Sequence, residues 1–230
     1  MNCSIVQDTR VGARSYNQDR LGYWRTPESI LLLVADGMGG HAYGEIAAEL
    51  TMRHIAARFK RDAQPRLANP DLFLFRAVLR SHSMLLREAH NLGLPDTPRT
   101  TVVACVVQEG HAYWSHVGDS RFYLVRNGRL VARTRDHTVV QQLVDEGRLH
   151  EDAVGTHPER NRVLQCLGGL LQPRVEPTAR ARLERDDILL LCSDGLWGPL
   201  TQRQLLDGLV AAPLGESVAQ LAALAEARAG

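Results

Sequence analysis

Apolar residues along the chain fall into short runs separated by turn-forming residues. Runs of this length, bounded by Gly, Pro, Asn and Asp, are typical of β-strands. They predict strands over residues 5–9, 30–35, 101–108, 112–117, 122–126, 130–134 and 188–192. Asn127-Gly128, between two of these runs, indicates a tight hairpin, because both residues tolerate the positive φ that a two-residue turn needs. Glu109-Gly110 is expected to turn the preceding pair of strands.

Two long segments instead repeat their apolar residues every three or four positions, which is the period of an amphipathic helix. The first covers residues 44–61. The second opens near Pro70 and is predicted to bury one stripe of side chains, formed by Leu72, Phe75, Leu79, His82, Leu86 and Ala89.

Two further helices are predicted near the end of the sequence. Thr201 and Gln204 form a capping box for a helix through Val210, and Ser217 is expected to cap another that reaches Arg228. The predicted order is strands, then long helices, then a run of strands and finally helices. This order favours an α+β architecture with helices covering sheets. It argues against an alternating βαβ winding.

Composition narrows the class of protein. The chain has 230 residues, of which 44% are hydrophobic and 23% are charged, and this predicts one domain with a sizeable core. A net charge of +1 gives no field that would favour nucleic acid or an acidic membrane as the main partner. No apolar stretch approaches the ~20 residues that span a bilayer. Four cysteines without CxxC spacing indicate free thiols, so we expect a cytoplasmic protein.

Three aspartates stand at the same kind of position, just after a run that predicts a strand. They are Asp36, Asp119 and Asp194, and each has a glycine beside it in the sequence. A single aspartate of this kind ordinarily forms an Asx turn with its own backbone. Three of them, joined by Asp19 in the cluster SYNQDR, would repel one another unless a cation neutralised them. The pattern therefore predicts a site for hard divalent ions such as Mg²⁺ or Mn²⁺.

The histidines carry less information. No cysteine and histidine set has the spacing of a zinc site. His82 lies on an apolar helical stripe and is expected to be a hydrogen-bonded core residue. His41 and His137 belong to the segments DGMGGH and TRDHT, and each is either a support for the site or a structural residue.

Seven segments follow one another along nearly the whole chain: GARSYNQDR (12–20), VADGMGGHAYGE (34–45), TT (100–101), VGDSRFYLVRNGRL (117–130), RDHT (135–138), NRVLQCLG (161–168) and DDILLLCSDGLWGPL (186–200). Together they resemble the motif series of the metal-dependent protein phosphatases, the type 2C serine/threonine phosphatases in their compact bacterial form. The fold that this resemblance implies is a four-layer α/β/β/α sandwich of two antiparallel sheets flanked by helices.

The resemblance also implies ligands for two metal ions and a third, weaker one. Asp36 matches the carboxylate that bridges two ions, and the Gly37 carbonyl matches a ligand of one of them. Asp194 matches a terminal ligand of the other ion and, with Asp119, a ligand of the third. Asp19 matches an acidic residue that holds metal-bound water. Mn²⁺ or Mg²⁺ is the expected cofactor.

Arg14 matches the guanidinium that grips the substrate phosphate, for which its planar fork is suited. Gln18 stands where many relatives have Glu, and Met38 stands where some have His. Gln18 and His41 are therefore candidates for a supporting role near the metals. The source of the proton for the leaving group is left open between His41 and a water.

The implied activity is hydrolysis of phosphoserine and phosphothreonine on proteins by direct attack of a hydroxide that bridges two metal ions. The implied partners are phosphorylated proteins and a serine/threonine kinase system that the enzyme opposes, and a monomer without nucleic-acid or membrane partners is expected. Two alternatives stay open. One is a weakly catalytic module that recognises phosphorylated partners, and the other is a two-metal hydrolase of small phosphate esters.

The sequence departs from the family at its end. Relatives finish with an Asp-Asn pair, whose Asp is a metal ligand, followed by a β-branched strand. Residues 1–230 are expected to form a single catalytic domain that lacks this strand and this pair. Either the natural chain continues beyond Gly230, which we favour, or the protein lacks one metal ligand.

Overall fold

The structure is a computed structural model that describes residues 3–12, 14–38, 43–176 and 178–229, except for the side chain of Asp152. Along these residues the elements are, in order, β1 (Asp19–Arg25), β2 (Ser29–Asp36), α1 (Gly44–Asp62), α2 (Pro70–Asn91), β3 (Val102–Gln108), β4 (His111–Val117), β5 (Arg121–Arg126), β6 (Arg129–Arg133), α3 (Val139–Asp145), a 3₁₀ helix (Glu151–Thr156), β7 (Ala179–Arg182), β8 (Ile188–Cys192), α4 (Asp194–Trp197), α5 (Gln202–Val210) and α6 (Leu214–Ala229).

The strands form two antiparallel sheets. One has the order β1-β2-β3-β4-β7 and the other has the order β6-β5-β8. Asn127 and Gly128 join β5 to β6 with φ of 50° and 70°, as the hairpin prediction requires. Glu109 and Gly110 turn β3 into β4 with φ of 51° and 70°.

Successive residues of β2 pack on opposite faces of the larger sheet, as the two-residue period of a strand dictates. Leu31, Leu33 and Ala35 enter the core shared with α1 and α2. Ile30 and Val34 instead enter the core between the two sheets. Both faces are buried, which explains why this strand appears in the sequence as one apolar run.

The smaller sheet completes the layers. Between the sheets, the rings of Trp114 and Phe122 stack with centroids 4.4 Å apart. On the other face of this sheet, Tyr123 and Val125 pack in a separate core with Leu205 of α5 and Leu221 of α6. The α+β class and the four-layer sandwich of two antiparallel sheets are therefore confirmed.

Several element predictions are wrong. Residues 5–9 form no strand, whereas β1 and β7 were not predicted. Both missed strands lie at the edges of the five-stranded sheet, and their sequences DRLGYWR and ARAR mix charged with apolar residues because an edge strand is partly solvated. The last helix begins at Leu214 rather than at Ser217, whose Oγ donates a hydrogen bond to the Ala212 carbonyl over 3.0 Å.

The predicted buried stripe of α2 is only partly correct, because His82 and Ala89 are buried but three of its other residues are exposed. Leu72, Phe75 and Leu86 are 40%, 39% and 37% exposed, whereas the residues that face the sheet include Leu74 and Val78 at 0%. Apolar residues lie on two sides of this helix, and helical period alone does not say which side meets the sheet. His82 is buried as expected, and its Nδ1 accepts a hydrogen bond from the Gly168 N–H over 3.2 Å.

In the ranges that the structure describes, none of the helices combines the length and the apolar character needed to cross a membrane.

Candidate metal centre

Four aspartates lie where strands of the two sheets end. Asp19 opens β1, Asp36 closes β2, Asp119 lies in the turn between β4 and β5, and Asp194 is the first residue of α4, just beyond β8. All four line one cavity of about 2080 Å³. The two sheets thus bring to one place carboxylates that are up to 175 positions apart in the sequence (Asp19 to Asp194).

Asp19 and Asp36 are direct partners in the register of β1 and β2, and their carboxyls are close enough to hydrogen-bond. Ser193 Oγ donates a hydrogen bond of 2.7 Å to Asp19 Oδ2. Because Ser193 follows β8 in the smaller sheet, this bond ties the two sheets together at the centre. Asn17 Oδ1 accepts from the Asp19 backbone N–H over 2.9 Å and fixes the start of β1.

The backbone of Asp36 is held by two neighbouring threonines. Its carbonyl accepts hydrogen bonds of 2.8 Å from the Thr101 N–H and from Thr100 Oγ1. Its N–H donates to Thr101 Oγ1 over 3.2 Å. Thr101 Oγ1 also lies 2.7 Å from Ser120 Oγ, beside Asp119. These contacts set the direction of the Asp36 side chain and give a structural role to the TT segment.

Gly37 meets the first residue of α1. A Cβ at Gly37 would lie 2.4 Å from the backbone C and O of Gly44, which no side chain can accommodate. The family resemblance implies that the Gly37 carbonyl is a ligand of one ion. The structure adds that the absence of a side chain allows α1 to begin against the loop.

Asp119 is only 4% exposed, and its backbone is fixed on both sides. Its carbonyl accepts a hydrogen bond of 2.9 Å from Trp197 Nε1. The preceding Gly118 has φ of 102°, and a Cβ there would lie 2.6 Å from Thr101 Cγ2. Glycine is therefore required for the turn that directs Asp119 into the cavity.

The electrostatics of the cluster favour a cation. Burial, followed by the charges of Asp19, Asp194 and Asp119, raises the pKa of Asp36 well above its ordinary value. Burial and the charges of Asp194 and Asp136 raise the pKa of Asp119 to about 8, and burial raises the pKa of Asp19. A divalent ion would reverse these shifts by compensating the crowded negative charge.

The donor set fits a hard ion, because every candidate ligand is an oxygen. Within the described ranges, however, no three His, Cys, Asp or Glu side chains already form a group that could hold an ion. Water and the Gly37 carbonyl would have to complete the coordination, and Mg²⁺ ordinarily retains several waters in protein sites. The residues present are thus compatible with a partly hydrated ion rather than with a closed protein cage.

Arg14 is exposed and lines the same cavity as the aspartates. Across the described part of the chain its guanidinium pairs with no carboxylate. Gln18 braces the loop: its carbonyl accepts from the Gly37 N–H over 3.2 Å, and its Nε2 lies 3.5 Å from Glu45 Oε2. His41 lies outside the described residues.

Comparisons with known proteins agree with this geometry. A family model described as protein phosphatase 2C matches residues 6–227. The chain belongs to the protein phosphatase 2C family. It is 37% identical over 198 residues to the serine/threonine protein phosphatase PstP of Mycobacterium tuberculosis. That match covers 85% of this chain, but this chain spans only 37% of the length of that relative.

Solved structures of the phosphatase 2C family superpose closely on this one. The crystal structure of the M. tuberculosis phosphatase PstP/Ppp gives a TM-score of 0.79 at 32% identity, covering 94% of this chain and 88% of that one. The catalytic domain of PstP in complex with two manganese ions gives 0.77 at 30% identity, covering 94% and 87%.

His137 of this phosphatase 2C domain supports the turn before Asp119. Its Nδ1 accepts a hydrogen bond from the Gly118 N–H over 3.2 Å, and its own N–H donates to the Gly118 carbonyl over 2.9 Å. Its ring stacks on His116 with centroids 4.5 Å apart. Burial and the charge of His116 lower the pKa of His137 to about 4, so the ring is neutral near pH 7.

A buried ion pair behind Asp119 was not predicted. The guanidinium of Arg121 donates to both carboxylate oxygens of Asp136, with distances of 2.6 to 3.1 Å, and lies 3.5 Å from the ring centroid of Trp197. Arg121 and Asp136 are 6% and 5% exposed. The segments VGDSRF and RDHT contain these residues, but nothing in the sequence indicates that they pair.

Proposed function

We propose that this domain hydrolyses phosphoserine and phosphothreonine on proteins, using two or three Mn²⁺ or Mg²⁺ ions. The observation that carries the proposal is the group of four strand-end carboxylates that share one cavity with Arg14. Membership of the phosphatase 2C family and the name of the mycobacterial relative support the choice of substrate.

Ions bound at this centre would supply an activated water and would stabilise negative charge on the transferring phosphoryl group. Within the protein, Asp36 and Asp194 would ligate the main pair of ions, together with the Gly37 carbonyl. Asp119 would contribute to a third ion, and Asp19 would hold water through a carboxylate oriented by Ser193.

Arg14 would bind the substrate phosphate. A guanidinium presents paired N–H donors that match two phosphate oxygens. Because Arg14 has no carboxylate partner within the described residues, no internal ion pair would have to break when phosphate binds.

The test measures Mn²⁺-dependent release of phosphate from a phosphothreonine peptide, from p-nitrophenyl phosphate and from a phosphodiester. We expect the phosphopeptide to be hydrolysed with the highest kcat/KM. Arg14→Ala should raise KM about 10-fold with a smaller effect on kcat, since it removes mostly ground-state binding. Arg203→Ala is the matched control, because the Arg203 side chain on α5 is 90% exposed. Preference for the diester would overturn the proposal.

A second candidate is a module that binds phosphoproteins with little turnover. It is favoured by the incomplete protein ligand set, since no three side chains in the described ranges form a group able to hold an ion. In this case a phosphothreonine peptide would bind with Arg14-dependent affinity, yet Mn²⁺ would produce no release of phosphate.

We further propose that residues 1–230 act as one catalytic domain. Residues from near both ends of the chain, such as Ile5 and Leu221, line the same cavity as the residues of β8.

Phosphoprotein substrates imply an opposing serine/threonine kinase. We propose that both enzymes act in the cytoplasm, that this phosphatase is a monomer, and that it uses neither nucleic acid nor a membrane as a partner.

A further inference from the structure

A cluster of basic side chains lies away from the metal centre, on the adjoining flanks of α1 and α2. The arginines of this cluster are Arg58, Arg61, Arg76, Arg80 and Arg87. Positions 58 and 61 share one face of α1, and positions 76, 80 and 87 share one face of α2, because residues three, four or seven apart line up on a helix. Burial and the charges of Arg80, Arg61 and Arg76 lower the pKa of Arg58, so the two helices present their positive charges to each other.

The cluster has few neighbouring acids. Asp62 pairs with Arg58 at 3.8 Å and with Arg61 at 2.7 Å, and Glu88 lies 3.9 Å from Arg87. Across the described ranges, Arg76 and Arg80 pair with no carboxylate. In the same ranges, the Nε of Arg58 and the Nε2 of His54 are buried without a hydrogen-bond partner. The fold therefore leaves positive charge here that its own residues do not compensate.

An exposed apolar strip runs beside these arginines on α2. Leu72, Phe75 and Leu86 are each between 37% and 40% exposed, and Leu79 is half-buried. Phe75, Leu79 and Leu86 are each followed directly by an arginine of the cluster. Since one residue is 100° around a helix, the strip and the row of arginines lie next to each other along α2.

We propose that this face of α1 and α2 docks an acidic amphipathic segment of a partner protein. Apolar side chains of that segment would cover the strip, and its Asp or Glu residues would pair with Arg76 and Arg80. Nucleic acid would satisfy the arginines but would place phosphates against exposed Leu and Phe side chains. A membrane-bound helix needs a broad apolar face, whereas this strip is one side chain wide.

The surface is separate from the metal centre. Helix α1 touches the metal-centre loop at Gly44, whereas His54 and Arg58 lie 10 and 14 residues further on. At 1.5 Å per residue, Arg58, the first arginine of the cluster on α1, lies about 21 Å from that end of the helix. A docked segment would therefore leave the cavity open, and the inference does not depend on the proposed hydrolysis.

The experiment measures fluorescence anisotropy of a labelled synthetic helical peptide that has Leu along one face and Glu on both sides of it. We expect the parent protein to bind this peptide and to bind a Glu-to-Gln version at least ~10-fold more weakly, since charge-assisted contacts are lost. Arg76→Glu combined with Arg80→Glu should weaken binding of the acidic peptide by at least ~10-fold. Phe75→Ser should weaken it several-fold.

Arg203→Glu is the matched charge-reversal control and should leave the affinity unchanged, because its side chain is 90% exposed on α5. Circular dichroism checks that each variant is folded, and Phe75→Ser keeps the test valid if the double variant is not. Vesicles of phosphatidylcholine and phosphatidylserine, and a DNA duplex, serve as competing probes. The proposal is overturned if the parent fails to bind the acidic peptide, if the Arg76/Arg80 variant binds it unchanged, or if vesicles or DNA bind more tightly.

Discussion

Asp19 and Asp36 face each other across the ladder between β1 and β2, with carboxyls close enough to hydrogen-bond. Two half-buried carboxylates in this arrangement repel each other when both are ionised, and each is stabilised when a proton or a cation lies between them. A bound cation would therefore stabilise this pair of aspartates in addition to the hydrogen bonds that already hold them.

Asp36→Asn should make the metal-free protein more stable and insensitive to metal. The amide keeps the shape of the carboxyl and removes its charge, which relieves repulsion from Asp19, Asp119 and Asp194. We expect the free energy of unfolding in EDTA to rise by on the order of 1 kcal/mol. Added Mn²⁺ should raise the melting temperature of the parent but not of the variant. Asp207→Asn, whose side chain is 71% exposed on α5, should behave like the parent, and an equal Mn²⁺ response in the Asp36 variant would refute the assigned role.

Gly37→Ala should disrupt the start of α1. Its Cβ would lie 2.4 Å from the Gly44 backbone, and relief of such overlap requires a backbone shift that costs about 1–3 kcal/mol. Chemical denaturation would measure this loss. Gly215→Ala is the control, because a Cβ at this position of α6 meets nothing within 4 Å, and alanine should be neutral or stabilising there. The steric argument would be wrong if both variants unfolded at the same denaturant concentration.

The buried pair of Arg121 and Asp136 should be costly to break from either side. Arg121→Met leaves a carboxylate buried without its partner, and Asp136→Asn leaves a guanidinium in the same position. We expect each change to lower the free energy of unfolding by about 3–5 kcal/mol. The double variant should lose less than the sum of the two, as measured by a thermodynamic cycle. Strict additivity would show that the pair is not coupled.

His137 should make stability depend on pH. Its pKa is about 4 in the folded state and about 6.5 when unfolded. Below pH 6.5 the unfolded chain therefore binds more protons at this residue, and the free energy of unfolding falls until about pH 4. His137→Gln should reduce this fall by on the order of 2 kcal/mol.

The raised pKa values of the carboxyls increase the free energy of unfolding as the pH falls, which opposes the effect of His137. The measurement is therefore the difference in the free energy of unfolding between variant and parent, obtained from denaturant titrations at each pH. The control is His90→Gln, at the exposed end of α2. Its free energy of unfolding should change with pH as that of the parent does. An unchanged slope in His137→Gln would contradict the predicted linkage.

The sequence predicts best those elements whose burial is one-sided or complete. Strands such as β2 are buried on both faces and therefore form unbroken apolar runs, and α1 shows its period plainly. The edge strands β1 and β7 were missed because solvent removes the apolar pattern. In α2 two apolar sides compete, and only the docking of the helix on the sheet decides between them.

At the site, strand-end positions and the family resemblance located the four aspartates, Gly37 and Arg14. Neither could reveal that Ser193 binds Asp19, since this contact depends on how one sheet stacks on the other. The pairing of Arg121 with Asp136 could not be predicted either, because it depends on how the segment after β6 packs against β5. The roles of the aspartates as ligands remain predictions.

Because Gly37 contacts Gly44, helix α1 connects the loop at the metal centre with the arginine cluster. Its first residue, Gly44, lies against Gly37, whose carbonyl is expected to bind an ion. Its last turns contain part of the arginine cluster. An α-helix is stiff along its hydrogen-bonded axis, so a displacement of one end also moves the other end. A molecule that shifted α1 along its axis would therefore move Gly44 relative to Gly37 without entering the cavity.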